Sequence, residues 1–356
     1  MTITTQNLHR MALLAIAPFI GLMLWLLISD FGIQLDVETK REATVQPQQL
    51  AAAEETLTGL EQARQMAEET SKSLTKQIGL YKKTNAEMEE IAKVASAQAG
   101  RPLAIYDRQI TNRLGKPSST ISSDKLRAQL FYLNHEHFRG YAVKLQLKSP
   151  DAMNMAMGGD KPGDAMTTLQ AVKQYGAAVG VNAGGYADAK GKRYPLSTTI
   201  ADGKYITGFE ASYADLFFVG MNDKNKLIGG KFTKKEQLDA KKPKFGASFV
   251  PILLRNGAAQ NIPAKWQSSP KRAPRTVIAN YKDDQLLILV ADGYNEGGSS
   301  GATLSELQTI LKRYGVVDAY NLDGGGSSSL VFNGTLVNKP SDGKLRKLPT
   351  HFLFFK

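Results

Sequence analysis

Cysteine is absent from the 356 residues. That excludes disulfides, thiolate zinc sites and cysteine nucleophiles together, and it suits an exported protein that does without disulfides. Histidine is nearly absent: His9, His135, His137 and His351 are too few and too scattered for a multi-histidine metal site. Proline is missing from residues 48–101, so nothing there breaks a helix. Positive charge is almost missing from the start of the chain. Residues 1–39 carry one arginine against three acids, and residues 40–98 carry eight lysines and arginines against nine glutamates. The formal net charge of +12 therefore sits beyond residue 98, where the chain holds +15. Such a surface attracts nucleic acid, anionic lipid or an anionic glycan, and export argues against nucleic acid.

Met11 to Ser29 is an uncharged apolar run of 19 residues, close to the ~20 needed to cross a hydrocarbon core. His9 and Arg10 precede it, and Asp30, Asp36 and Glu38 follow. The charge bias predicts a cytoplasmic tail over 1–10, a retained single-pass signal anchor over 11–29, and an extracytoplasmic remainder in the cell membrane. Ser29-Asp30-Phe31-Gly32 offers no small-x-small cleavage site.

Residues 40–98 are rich in Ala, Glu, Gln, Lys and Leu and read as a helical stalk. A heptad runs through Leu60, Ala67, Leu74, Tyr81, Met88 and Ala95, beside a poorer seam through Leu57, Arg64, Ser71, Ile78, Asn85 and Ala92. Self-association as a coiled coil and a solvated single helix both fit this pattern. Gly100-Arg101-Pro102 is expected to close the helix, followed by a linker over 99–124. From 125 to 356 short apolar runs alternate with glycine-rich turns, which predicts a mixed α/β (α+β) domain built on a mixed sheet.

The densest motif is Asn321-Leu322-Asp323-Gly324-Gly325-Gly326-Ser327-Ser328-Ser329, between a strand arriving and a strand leaving. Glycines permit close backbone approach and expose N–H groups, while Asp323 and the serines add acceptors and donors. A polyhydroxylated or phosphorylated ligand suits that set. A plain glycine-rich hairpin is the competing reading. The spacing matches neither a nucleotide P-loop nor a dinucleotide fingerprint.

The ordered set Asn182-Ala183-Gly184-Gly185-Tyr186, Ala273-Pro274-Arg275-Thr276, Ala291-Asp292-Gly293, the Asn321–Ser328 motif and Thr350-His351-Phe352 resembles the phosphodiester glycosidase family over roughly 125–356. The resemblance implies cleavage of a sugar-1-phosphodiester, including α-linked N-acetylglucosamine, with a phosphorylated glycan as substrate. Asp323 is then expected as nucleophile, base or electrostatic stabiliser, with Asp292 as its partner or as a turn-capping acid, and Glu296 in reserve as an acid. Arg275 is the expected phosphate ligand. Asn182, Gly184, Asn321, Gly324, Gly325, Gly326, Ser327 and Ser328 are the expected substrate-binding set, with Gly324 to Gly326, Ser327 and Ser328 as an N–H nest for phosphate. Glu306 is assigned to a capping box with Thr303, and His351 to a structural role. No cofactor is required. A divalent cation, Mg²⁺ or Ca²⁺, fits the same oxygens without a diagnostic ligand spacing. The rival reading is a non-catalytic glycan-binding or assembly protein of an envelope complex.

Overall fold

The computed structural model describes residues 47–161, 163–293 and 300–356. The expected membrane span 11–29 and the reserve acid Glu296 lie outside them. Among the described residues no helix is long and apolar enough to cross a membrane. The chain divides into two units, Met1–Glu90 and Ile91–Lys356.

The described part of the first unit is the beginning of one long helix, α1 (Pro47–Leu114). The seam residues Leu60, Leu74, Tyr81 and Met88 are all solvent-exposed, and the ion pairs Arg64–Glu68 and Lys83–Glu87 run along the helix at i,i+4. The sequence predicts that the helix stops near residue 98. Instead it continues through Gly100 and Pro102 to Leu114, so the expected linker over 99–124 is mostly helix, followed by a short strand. A helical proline forfeits one backbone hydrogen bond and crowds the preceding turn, about 3 kcal/mol. Tertiary contacts offset that cost. Ile110 and Leu114 are buried in the core of the second unit, and Asp107 meets Lys144 Nζ at 2.7 Å. Lys144 is 1% exposed, and its ammonium also donates to Thr111 Oγ1 at 2.6 Å.

The second unit is layered. Its large sheet orders eight strands as β1 (Ser119–Ser122), β2 (Leu126–His135), β3 (Phe138–Leu147), β16 (Leu286–Ala291), β15 (Arg275–Asn280), β17 (Asp318–Leu322), β13 (Ile252–Arg255) and β14 (Ala258–Ala259). A second sheet runs β11 (Leu227–Gly230), β10 (Phe217–Asn222), β12 (Pro243–Phe249), β8 (Ile200–Ala201), β9 (Lys204–Tyr205). A third runs β19 (Thr335–Leu336), β18 (Leu330–Phe332), β5 (Val179–Asn182), β20 (Thr350–Phe354), β4 (Met153–Met157). A hairpin of β6 (Tyr186–Ala189) and β7 (Lys192–Pro195) stands apart.

One face of the large sheet, with Val143, Ile278, Ile288, Val290 and Leu322, packs on Phe217, Phe245, Val181 and Phe352 of the two smaller sheets. Its other face, with Val277, Ala279, Leu287 and Leu289, is covered by the end of α1 and by α5 (Leu304–Tyr314) through Leu304, Leu307 and Leu311. Strand β16 is buried on both faces, which is why it reads as an unbroken apolar run instead of an alternation. Helix α2 (Thr168–Tyr175) caps the outer face of the third sheet through Ala171 and Val172, and the short α3 (Lys235–Asp239) and α4 (Ala264–Ser268) fill connections.

The expected mixed sheet is not found: every strand pair among the described residues is antiparallel. The α5 connection explains the difference. It joins β16 to β17, which run in the same direction, as a crossover helix should. However, β15 lies between them and is antiparallel to both.

Candidate active site

The register of the large sheet collects the motif residues at one end. Arg275 opens β15 opposite Ala291, the last residue of β16, and Thr276 faces Leu322, the last residue of β17. Asp292 and Asp323 follow directly. Successive residues of a strand point to opposite faces. Arg275 therefore falls on the helical face with Val277, and Asp292 on the face of the smaller sheets with Val290.

Their contacts agree. Arg275 donates to the carbonyls of Pro270 at 3.0 Å and Ala302 at 3.4 Å, pinning two connections on the helical side. Asp292 accepts from Tyr141 Oη at 2.9 Å, from Asn338 Nδ2 at 3.3 Å and from the Lys339 N–H at 3.0 and 3.2 Å. Burial raises the Asp292 carboxyl above the usual range, against the pull of these donors. The two residues are on opposite sides of the sheet, and Asp292 has the surroundings of a buried, turn-capping acid.

Asp323 is placed differently. It stands just past β17, where Asn182 Nδ2 donates to its carbonyl at 2.6 Å and the Gly324 N–H donates to its Oδ1 at 3.0 Å. The residue as a whole is half-buried, whereas Oδ2 is sealed from solvent without a hydrogen-bond partner. Desolvation pushes its acid up to about 6, opposed by the Ser327 hydroxyl, the Gly324 N–H and the charges of Arg346 and Arg193. A carboxylate in this state is ionised at neutral pH and poorly solvated, which suits chemistry at an electron-poor carbon.

The expected substrate-binding residues separate into two kinds. Asn182 is fully buried, and its Oδ1 accepts from Thr276 Oγ1 at 3.0 Å and from the Ser329 N–H at 3.1 Å. It is a fastener between β5, β15 and the serine turn. Asn321 donates to the Val250 carbonyl at 2.6 Å and keeps Oδ1 buried and unpartnered. Gly184 lies so close to Ala247 and Ser248 that a Cβ would enter their contact distance, so packing on β12 requires glycine there. Gly326 gives way to the Arg346–Asp342 ion pair, which a Cβ would overlap. Gly324, Gly325, Ser327 and Ser328 form the turn after Asp323, with Ser328 Oγ on Thr276 at 3.2 Å. As expected, Thr303 and Glu306 make a capping box, and the structure adds a paired contact of Glu306 with Arg272 at 2.6 and 2.8 Å.

Two arginines whose charge reaches Asp323 belong to no sequence motif. Arg346 donates to Ser327 Oγ at 3.3 Å and to Tyr186 Oη at 3.4 Å while paired with Asp342 at 2.6 Å. Arg193 lies over the Tyr186 ring at 4.8 Å. Each arginine comes from a loop or hairpin with no fingerprint, although Tyr186 closes the Asn182 motif. A cleft of about 680 Å³ opens on both arginines and is lined by five cations, Lys192, Arg193, Lys344, Arg346 and Lys347, against Asp164 and Asp342. A second cleft, of about 520 Å³, carries no motif residue, and its acid Asp215 is paired with Lys265 at 3.0 Å and accepts a hydrogen bond from Trp266 Nε1. Among the described residues no group of three or more acids and histidines is clustered to hold a metal ion.

The layered fold has a counterpart in a solved glycosidase domain. The catalytic domain of the zebrafish N-acetylglucosamine-1-phosphodiester α-N-acetylglucosaminidase, described as auto-inhibited by its pro-peptide, superposes with a TM-score of 0.54 at 22% identity, over 68% of this chain and 87% of that one. In sequence the chain is similar to the enzyme of that name from Bos taurus, 30% identical over 190 residues, and from Mus musculus, 29% identical over 161. These matches span 49% and 41% of this chain but only 35% and 30% of the curated relatives. The pattern of the phosphodiester glycosidase family matches residues 175–355, which hold every motif described above. The chain belongs to the phosphodiester glycosidase family.

Proposed function

We propose that this protein is a membrane-anchored, extracytoplasmic hydrolase that cleaves sugar-1-phosphodiester linkages in envelope glycans or exopolysaccharide. The observation that carries the reading is Asp323, whose acid is raised by burial and feels the charges of Arg346 and Arg193, two of the five cations that line the basic cleft. The diester phosphate sits among Arg346, Arg193 and the neighbouring lysines, and the anomeric carbon faces Asp323. The C1–O bond breaks with its electron pair on the phosphate oxygen. The phosphomonoester formed has a second pKa of about 6 and leaves with little acid assistance. Water supplies the new C1 hydroxyl, and its proton goes to solvent or to the phosphomonoester. Asp323 stabilises the positive charge at C1, and the anomer released first tells whether it attacks directly (retention) or activates water (inversion).

The relatives' name puts α-linked N-acetylglucosamine first among the candidate sugars. Residues 11–29 supply the anchor in this reading, and the exposed α1 seam supplies self-association. The full chain in detergent, incubated with a synthetic N-acetylglucosamine-1-phosphodiester with and without EDTA, is expected to yield free sugar and phosphomonoester by mass spectrometry. Release of sugar-1-phosphate would overturn cleavage on the sugar side. Extraction by alkaline carbonate would overturn the anchor.

A further inference from the structure

A chain of buried hydrogen bonds leads from the C-terminal strand to the loop that carries Asp323. His351 on β20 is directly opposite Asn182 on β5 and fully buried. Its Nε2 lies 3.1 Å from the Met166 carbonyl and 3.2 Å from the Leu348 carbonyl. Carbonyls only accept, so Nε2 must carry the proton and the neutral ring offers Nδ1 as an acceptor. Burial lowers the ring's pKa to about 4, which keeps it neutral. Thr168 Oγ1, 3.1 Å from Nδ1, must then donate to it. With its only proton committed, Thr168 accepts from Ser329 Oγ at 2.6 Å. The Ser329 proton is thereby turned to Thr168, away from the Ser327 carbonyl 3.1 Å away on its other side. The Ser329 main chain is held by Asn182, whose other end holds the Asp323 carbonyl.

We propose that His351 is a positioning residue, whose fixed tautomer sets the direction of the Thr168 and Ser329 hydroxyls and so orients the serine turn behind Asp323. The catalytic consequence rests on the reading of Asp323 given above; the tautomer does not.

The test uses the full chain with Thr168→Val, which keeps the shape and removes the hydroxyl, and with Thr168→Ser, which restores it. Thr168→Val is expected to lower kcat about tenfold or more with KM changed less than about twofold, and Thr168→Ser to recover the rate. Long-range ¹H–¹⁵N spectra of histidine-labelled protein are expected to show His351 protonated at Nε2 alone. A wild-type kcat in Thr168→Val, or a proton on Nδ1, overturns the proposal. If Thr168→Val fails to fold, Ser329→Ala decides by the same kinetic criterion. If the wild type cleaves no diester, the functional reading has failed, and the positioning role is decided by the carboxyl titration of Asp323. A shift of about half a unit or more in Thr168→Val supports it, and an unmoved titration overturns it.

Discussion

Asn182 and Asp323, 141 positions apart in sequence, are joined by a 2.6 Å hydrogen bond from the Asn182 carboxamide to the Asp323 carbonyl. The same carboxamide accepts from Thr276 and from the Ser329 N–H. One side chain thus fixes the backbone on both sides of the glycine turn. Asn182→Ala strands several buried groups and is expected to cost about 2–4 kcal/mol of stability. Asn182→Asp keeps the two acceptor bonds but loses the donor to Asp323. Its expected signature is lower kcat with a smaller fall in Tm than for Asn182→Ala, measured by thermal unfolding and steady-state kinetics.

Arg346 and Arg275 are expected to fail in different ways. The Arg346 guanidinium lines the basic cleft, so Arg346→Ala should raise KM about tenfold or more for a phosphodiester, with little change in Tm. Arg275 is buried against two carbonyls, so Arg275→Ala should lower Tm by several degrees. A Tm unchanged in Arg275→Ala would show that its bonds to Pro270 and Ala302 hold little.

Stability should respond to pH through two buried groups of opposite sign. Asp323 has its acid raised from 3.8 to about 6, so between those values the folded state holds the proton that the unfolded state releases. Stability therefore falls as pH rises through that window and stays reduced above it. His351 is lowered from 6.5 to about 4, so below pH 6.5 the unfolded state takes up a proton that the folded state refuses. Stability from that group is full above 6.5 and is lost as pH falls toward 4. Each effect is on the order of 1–3 kcal/mol, and over pH 4–6 they oppose each other. Asp323→Asn should abolish turnover, raise Tm at pH 7–8 and leave a chain that loses stability on acidification. Denaturant melts across pH 4–8 check the signs.

Gly326→Ala should displace the Arg346–Asp342 ion pair, because the added Cβ overlaps both side chains. Both are long or surface-facing and can move, so the fold should survive. The expected result is a KM defect resembling that of Arg346→Ala, with Tm within a few degrees of wild type.

The strands that bring the site together were legible because β15, β16 and β17 are apolar and end abruptly on polar motifs. The place of Asp323 at the end of a strand was legible for the same reason. The antiparallel order was not, since an apolar run buried on both faces gives no sign of its neighbours' direction. Arg346 and Arg193 were missed because one stands in a loop and the other on a short hairpin strand, neither with a motif, and only the fold brings them to Tyr186. Arg275 and Asp292 both belong to the motif set, but strand alternation sends them to opposite faces of the sheet, which their positions in sequence do not reveal. The end of α1 was misjudged because Pro102 is a strong local stop signal, whereas the burial of Ile110, Leu114 and Lys144 that overrides it is tertiary.

The docking of the last turns of α1 bears on where this chain tolerates being cut. Lys144 has its ammonium enclosed, with Asp107 and Thr111 as its partners. A protease acting N-terminal to residue 100 leaves those partners attached. A cut between residues 111 and 119 lets the helix leave, strands a lone cation inside the sheet and bares the apolar surface that Ile110 and Leu114 cover. The folded unit released by a cut therefore has to keep the final turns of α1, and shorter pieces should aggregate.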